Sequence, residues 1–124
     1  MKDVLWISIG AAVGANLRYA VSHWIAKALS SSFPWGTLII NVTGSFILGF
    51  FLVWTTDRVL ADPRWRALVA IGFCGGYTTF SSYAFETITF WQQGNHLFAL
   101  GNFVTNNLLA LVGVVAGAML ARIL

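Results

Sequence analysis

Residues 75–86 read GGYTTFSSYAFE, a polar stretch inside an otherwise apolar segment. An uninterrupted membrane helix would carry Leu, Val and Ile at these positions. Glycine loses the most backbone entropy when a helix orders, so the adjacent Gly75 and Gly76 weaken a helix here. Backbone groups freed in lipid need another partner, so a break is tolerated only where protein, water or an ion supplies one. We therefore predict a membrane helix that is broken at residues 75–79 and resumes at Phe80.

The composition places the chain in a lipid bilayer. Of its 124 residues, 58% are hydrophobic and 9% are charged, whereas soluble domains carry about a quarter charged residues. A chain of this length forms one domain at most, and its membrane core would be small, so we expect an oligomer. The net charge of +3 is spread over helix ends, which argues against nucleic-acid binding. The single Cys74 excludes an intrachain disulfide and a cysteine metal cluster.

Four membrane spans are predicted, because crossing a bilayer takes about 20 mainly apolar residues. They cover residues 4–29, 35–56, 64–92 with the break at 75–79, and 97–122, in a single four-helix transmembrane domain over residues 1–124. The pair Asp62-Pro63 is typical of an N-cap followed by proline at the first helical position. The sequence therefore predicts an all-α membrane protein whose third span is divided.

In the first span, Gly10, Gly14 and Arg18 recur every four residues and so share one helix face. The glycine spacing favours ordinary close packing against another helix. An arginine within a membrane is costly and normally faces protein or a water-filled cavity. Arg18 is therefore a candidate functional residue, and the alternative is that it snorkels to the membrane interface.

The second and fourth spans each carry a polar stripe. Thr37, Asn41 and Ser45 recur every four residues in the second span. Thr37 alone would be unremarkable, since threonine can bond to its own helix, but an unpaired buried asparagine costs a few kcal/mol. Asn41 is therefore expected to face a partner or a wet path. The stripe of the fourth span comprises Asn102, Asn106, Ala110, Gly113 and Gly117, and the neighbourhood of Asn106 is too polar for a lipid-facing surface.

After the break, Phe80, Tyr83 and Glu86 recur every three residues and lie roughly on one helix face. Such aromatic stripes usually pack in a core, but this one alternates with hydroxyl residues and follows a break, which favours a lined pathway. Glu86 is the one acidic residue within a span. The sequence contains no Ser-His-Asp or Cys-His set, phosphate loop or metal-ligand cluster, so we do not expect an enzyme.

The segment at residues 75–86 resembles the signature of the dual-topology fluoride channels, the Fluc or CrcB family. NLRY at residues 16–19 and GTLIIN at residues 36–41 match the same family in the same order. The four-span layout and the length match as well, so the resemblance covers the whole chain.

The resemblance implies a passive, fluoride-selective channel that exports cytoplasmic fluoride across the bacterial inner membrane. It implies an antiparallel homodimer with two narrow pores and a structural sodium ion at the dimer centre, held by the backbone carbonyls of Gly75 and Thr78. The pore and anion-binding candidates, to which we add the hydroxyls of Thr37 and Thr79, are Phe80, Tyr83, Asn41, Ser81, Thr79, Thr37, Arg18, Glu86 and Asn106.

Two features depart from the family pattern. Tyr83 stands where the second pore phenylalanine is expected. Its ring keeps the positive edge that can face an anion and its phenol adds a donor, so we expect conduction to survive with an altered rate or affinity.

The second departure is a bias in the distribution of basic residues that favours termini inside the cell. Either dual insertion is imperfect, or the chain pairs with an oppositely oriented paralogue. One side of the membrane would gather Lys2, Arg58, Arg64, Arg66 and Arg122, and the other only Lys27.

Fluoride suits these residue types. It is small and strongly hydrated, so a pore must replace many hydrogen bonds, and several weak sites conduct better than one tight cationic site. The alternative function is a small proton-coupled multidrug-type exporter that uses Glu86. In that class the glutamate lies in the first span, where this chain has Arg18, which would repel a cation. A purely structural membrane subunit would leave Asn41 and the hydroxyl run unexplained.

Overall fold

The computed structural model describes residues 2–57 and 62–124, and this part of the chain is helical apart from short turns and caps. The helices are α1 (Lys2–Leu29), α2 (Trp35–Asp57), α3 (Pro63–Trp65), a π-helical segment (Arg66–Phe73), α4 (Cys74–Tyr77), α5 (Phe80–Gln92) and α6 (His96–Ile123). The predicted all-α class is confirmed. So is the divided third helix, whose first half runs from α3 through α4 and whose second half is α5.

Within residues 2–57 and 62–124, three helices are long and apolar enough to cross a membrane, namely Asp3–Leu29, Trp35–Thr56 and His96–Ile123. The third helix is different because Thr78 and Thr79 interrupt it with extended backbone. The 13 residues of α5 rise only about 20 Å, less than the roughly 30 Å of a hydrocarbon core. Neither half is therefore a span by itself, and the two must be considered together.

Side-chain caps fix where the third helix and α6 begin. The Asp62 carboxylate accepts a hydrogen bond from the backbone N–H of Arg64 at 2.9 Å, and Pro63 occupies the first turn, as predicted. Thr79 caps α5 by accepting from the N–H of Ser82 at 3.1 Å. Asn95 caps α6 in the same way. Each cap satisfies a backbone donor that a helix start leaves unpaired.

Helix packing is close where the sequence is rich in glycine. Helix α2 lies along α6, and α1 lies along the π-helical segment and α4. A Cβ atom added to Gly10 or Gly14 would overlap the backbone of Leu68 or Phe73. The glycine face of α1 is therefore a packing surface, as its spacing indicates.

The π-helical segment was not anticipated from the sequence. Its eight residues, Arg66–Phe73, are wound more widely than an α-helix and directly precede α4. Gly72 is buried there against the backbone of Ile7 and Gly10.

One of the basic residues on which the predicted membrane orientation rests, Arg58, lies outside the described residues.

Candidate functional site

The break in the third helix is held by Asn41 of α2. The backbone N–H of Thr79 donates to Asn41 Oδ1 at 2.9 Å, and Asn41 Nδ2 donates to the carbonyl of Thr79 at 3.1 Å. Asn41 Nδ2 also donates to Asn106 Oδ1 at 3.0 Å. Asn41 thus replaces helical hydrogen bonds that the break removes, and both of its amide hydrogens are engaged with protein.

A ladder of amides continues from Asn41 into α6. Asn106 Nδ2 donates to the carbonyl and to Oδ1 of Asn102, at 3.1 and 2.8 Å. Asn102 is fully buried, and its Nδ2 donates to Thr87 Oγ1 at 2.9 Å. The ladder therefore connects α2, α5 and α6 beside the break. The polar stripe contained Asn102, but the sequence reasoning did not include it among the site residues.

Arg18 reaches the same break from α1. Its Nη1 donates to the carbonyl of Thr78 at 3.2 Å, and the contact is partly buried. Of the two sequence interpretations, this contact favours a protein-facing arginine over one that extends to the membrane interface. The guanidinium lies at the break itself, where the carbonyl has lost its helical partner.

Phe80 and Tyr83 form an aromatic pair at the start of α5. Their ring centroids lie 5.3 Å apart at an interplanar angle of 66°, an edge contact. Phe80 is 77% exposed, whereas Tyr83 is 6% exposed. The Tyr83 hydroxyl accepts a hydrogen bond from Asn107 Nδ2 at 2.9 Å. One ring therefore faces away from the chain, and the other is fixed inside it.

These groups surround a cavity of about 370 Å³ between α2, α6 and the break. Five of the nine predicted pore residues line it, and none of the described residues in its lining carries a charged side chain. The lining residues are Asn41, Gly44, Ser45, Leu48, Thr78, Thr79, Phe80, Tyr83, Asn106, Asn107, Ala110, Leu111 and Val114.

The remaining predicted pore residues lie outside this lining. Thr37 Oγ1 donates to Glu86 Oε1 at 2.6 Å and joins α2 to α5, while Glu86 Oε2 is buried without a partner among the described residues. Ser81 is exposed, with its Oγ 3.4 Å from Thr79 Oγ1. Arg18 approaches only through the carbonyl of Thr78.

The predicted sodium ligands lie at the break, on a surface that the single chain leaves open. Gly75 is exposed, and an added Cβ atom would meet nothing within 4 Å. The Thr79 N–H, which would continue the helix by donating to the Gly75 carbonyl, donates to Asn41 instead. The Thr78 carbonyl accepts one bond from Arg18 and keeps a second lone pair. Both oxygens are therefore suited in chemistry to a hard cation, although Arg18 puts positive charge beside one of them.

The chain matches known proteins over nearly its whole length. The family model described as "CrcB-like protein, Camphor Resistance (CrcB)" matches residues 5–118. A Koribacter versatilis protein named "Fluoride-specific ion channel FluC" is 55% identical over 122 residues, covering 98% of this chain and 97% of the relative. Proteins of the same name from Sulfurihydrogenibium and Roseiflexus are 44% and 46% identical, covering 100% and 98% of both chains respectively. This chain therefore belongs to the CrcB-like protein family.

Proposed function

We propose that this protein is a fluoride-specific channel through which cytoplasmic fluoride leaves the cell passively. It is an integral membrane protein of the bacterial inner membrane, as its long apolar helices and its relatives indicate. Three relatives that carry the fluoride channel name are 44 to 55% identical to it over nearly their whole length. The observation that carries the proposal is the cavity beside the broken helix, where uncharged amides and hydroxyls lie among apolar side chains, with Phe80 and Tyr83 in its wall.

The cavity has the chemistry that a small, strongly hydrated anion needs. Its polar groups are amides and hydroxyls, and the positive edges of aromatic rings add further favourable contacts. A wall without formal positive charge binds an anion weakly enough to release it again. In the proposed pathway fluoride exchanges water for hydroxyl protons and ring edges one group at a time, and the larger chloride is excluded by size.

We propose that two chains assemble as an antiparallel dimer with two pores. Phe80, Tyr19 and the hydroxyl groups of Ser81 and Ser82 lie exposed on the single chain. Polar side chains facing lipid are costly in the hydrocarbon core. A second copy covering this surface would remove the cost and complete a pathway of which one chain supplies only part. An oppositely oriented paralogue is the other partner that the basic-residue bias allows.

The sodium ion belongs to the same proposal. The carbonyls of Gly75 and Thr78 from two facing chains would supply four oxygens, and carbonyl oxygens replace the hydration shell of alkali cations in other channels. The ion would offset the carbonyl charge at the break and raise the potential that an anion meets nearby. Its role is structural.

The exporter alternative is not favoured. An exporter that uses Glu86 needs this carboxylate to face its transport cavity, whereas Glu86 accepts a hydrogen bond from Thr37 and lies outside the cavity lining. Thr37, Glu86, Ser81 and Arg18 remain proposed members of the anion path, toward its ends or toward the partner chain.

An efflux assay tests the function directly. Proteoliposomes loaded with potassium fluoride are diluted into fluoride-free buffer of the same pH, valinomycin carries the compensating charge, and a fluoride electrode follows release. We expect fluoride release without a proton or sodium gradient, and no chloride release from matched vesicles. Release that requires a proton gradient, or equal passage of chloride, would exclude a fluoride-specific passive channel.

A further inference from the structure

Most hydrogen-bond donors in the cavity wall are already engaged with the protein. Asn41 Nδ2 donates to the carbonyl of Thr79 and to Asn106 Oδ1, and Asn106 Nδ2 donates to the carbonyl and to Oδ1 of Asn102. The Thr78 hydroxyl donates to the carbonyl of Cys74 at 2.8 Å. These groups cannot serve a passing ion without giving up a contact that holds the break or its helix.

The other threonine of the wall is engaged as well, whereas the tyrosine and the serine differ in this respect. Thr79 Oγ1 donates to Ser82 Oγ at 2.9 Å. The Tyr83 oxygen accepts from Asn107, and its own proton has no acceptor in the described part of the chain. Ser45 likewise has no hydrogen bond there. Two hydroxyl protons of the cavity wall, those of Tyr83 and Ser45, are therefore free.

Asn107 determines which way the Tyr83 proton points. Asn107 Nδ2 also donates to the carbonyl of Phe103 at 2.7 Å, and a carbonyl can only accept, so the nitrogen side of the amide is fixed toward α6 and Tyr83. The Tyr83 oxygen must then act as acceptor toward Asn107. A phenol proton lies near the ring plane on one of two sides, and Asn107 occupies one of them. The proton is left on the other side.

We propose that the Tyr83 hydroxyl donates a hydrogen bond to fluoride in the cavity, and that Asn107 is a positioning residue that aims this proton at the ion. The proposal rests on the proposed function. Fluoride is a compact anion and a strong acceptor, and hydrogen bonds to charged acceptors are stronger than neutral ones. The family resemblance implies phenylalanine at this position, so the hydroxyl donor departs from the family pattern.

The test compares initial fluoride efflux at increasing internal fluoride for the wild type, Tyr83→Phe, Asn107→Leu and the double variant. Losing a hydrogen bond to an anion weakens binding by about tenfold or more. We therefore expect Tyr83→Phe to raise the half-saturating concentration about tenfold and to retain the maximal rate. Asn107→Leu frees the hydroxyl between its two orientations and raises that concentration about twofold to threefold, a loss of preorganisation. When Tyr83→Phe is already present, adding Asn107→Leu has no further effect.

Tyr77→Phe is the matched control. Tyr77 is 5% exposed and its hydroxyl lies 3.0 Å from Thr43 Oγ1, but it does not line the cavity. Removing its hydroxyl costs one partly buried hydrogen bond and should leave the half-saturating concentration unchanged. A merely structural role for Tyr83 predicts the same result for both tyrosines.

The outcomes separate the two proposals. A wild-type protein that passes no fluoride refutes the proposed function itself. A conducting wild type with an unchanged half-saturating concentration in Tyr83→Phe refutes the donor. Independent, multiplying effects of Tyr83→Phe and Asn107→Leu refute the positioning role. Asn107 is exposed, so its variant should fold even if Tyr83→Phe does not, and a twofold to threefold shift in that variant alone keeps the proposal under test.

Discussion

Replacing Asn41 by leucine should destabilise the protein by loosening the helix break. Asn41 makes three hydrogen bonds to other elements, two to the backbone of Thr79 and one to Asn106 Oδ1. Leucine branches at Cγ as asparagine does, is somewhat larger and has no polar atoms, so the change removes these bonds without opening a cavity. The Thr79 N–H and carbonyl would then lack their partner at a position where the helix is already interrupted.

The expected loss follows from the number of bonds. Three bonds at about 1 kcal/mol each give about 3 kcal/mol. The mean of about 0.6 kcal/mol found for hydrogen bonds within membranes gives a lower figure of about 2 kcal/mol. Since typical domains are stable by only about 5–15 kcal/mol, either value is a large fraction of the total.

The measurement is the free energy of unfolding from SDS titration in mixed micelles, with Asn16→Leu as the control. Asn16 is an exposed asparagine of α1 whose amide donates only to the carbonyl of Ala12 in its own helix, at 2.7 Å. The Asn16→Leu substitution makes the same chemical change without removing a bond between helices. We expect it to change the free energy of unfolding by no more than about 0.5 kcal/mol. If Asn41→Leu lowers the free energy of unfolding no more than Asn16→Leu does, Asn41 does not hold the break.

Three further predictions concern the pathway, the packing and the ion. Phe80→Ile should abolish fluoride efflux from an intact dimer, because isoleucine lacks the positive ring edge. The control Phe85→Ile changes an equally outward-facing ring and should leave efflux intact. Normal efflux in Phe80→Ile would show that the Phe80 ring is not part of the pore. Gly44→Ala should lower the free energy of unfolding by about 1–3 kcal/mol, since the added methyl would overlap Thr78 Cγ2, and an unchanged SDS midpoint would contradict this contact. A structure of the assembled protein should contain a buried sodium ion ringed by the carbonyls of Gly75 and Thr78 from both chains, and breaks lying far apart with no density between them would count against it.

The sequence predicted where the third helix breaks, but for a reason that is only partly right. Gly75 and Gly76 remain helical within α4, and the extended residues are Thr78 and Thr79. An added Cβ atom on Gly76 would overlap the backbone of Ala11, so this glycine permits close contact with α1. The break falls where Asn41 supplies substitute hydrogen bonds, which is a property of two helices and not of one segment.

Contacts between helices were beyond the sequence for the same reason. Polar stripes identify which faces of α2 and α6 are not lipid-facing, yet they do not fix the relative height of the two helices. That height decides that Asn41 bonds to Asn106 and that Thr37 bonds to Glu86. The π-helical segment is equally hidden, because one widened turn hardly alters an apolar pattern of eight residues.

Asn41 also shows that the sequence can identify a buried polar residue in a membrane span without identifying the role of that residue. Its cost in lipid correctly predicted that it faces protein or a wet path. In the structure, both amide hydrogens of Asn41 donate to protein, one to Thr79 and one to Asn106. A conducting ion would have to compete with these two acceptors for the same hydrogens.

Amides and hydroxyls are suited to different tasks beside the break, and their chemistry explains why. An amide presents donors and an acceptor in one fixed plane, so Asn41 can pair with both backbone groups of Thr79 at once. A hydroxyl carries one proton that turns about its C–O bond, so the Ser45 proton can follow a moving ion, whereas Asn107 holds the Tyr83 proton in one direction. In the proposed pathway, a rigid break made of amides would be combined with free hydroxyl protons at Tyr83 and Ser45, which need no rearrangement of the helices to reach an ion. A pore lined by engaged amides alone would have to open its own scaffold to bind each ion, which would couple every passage to a loss of stability.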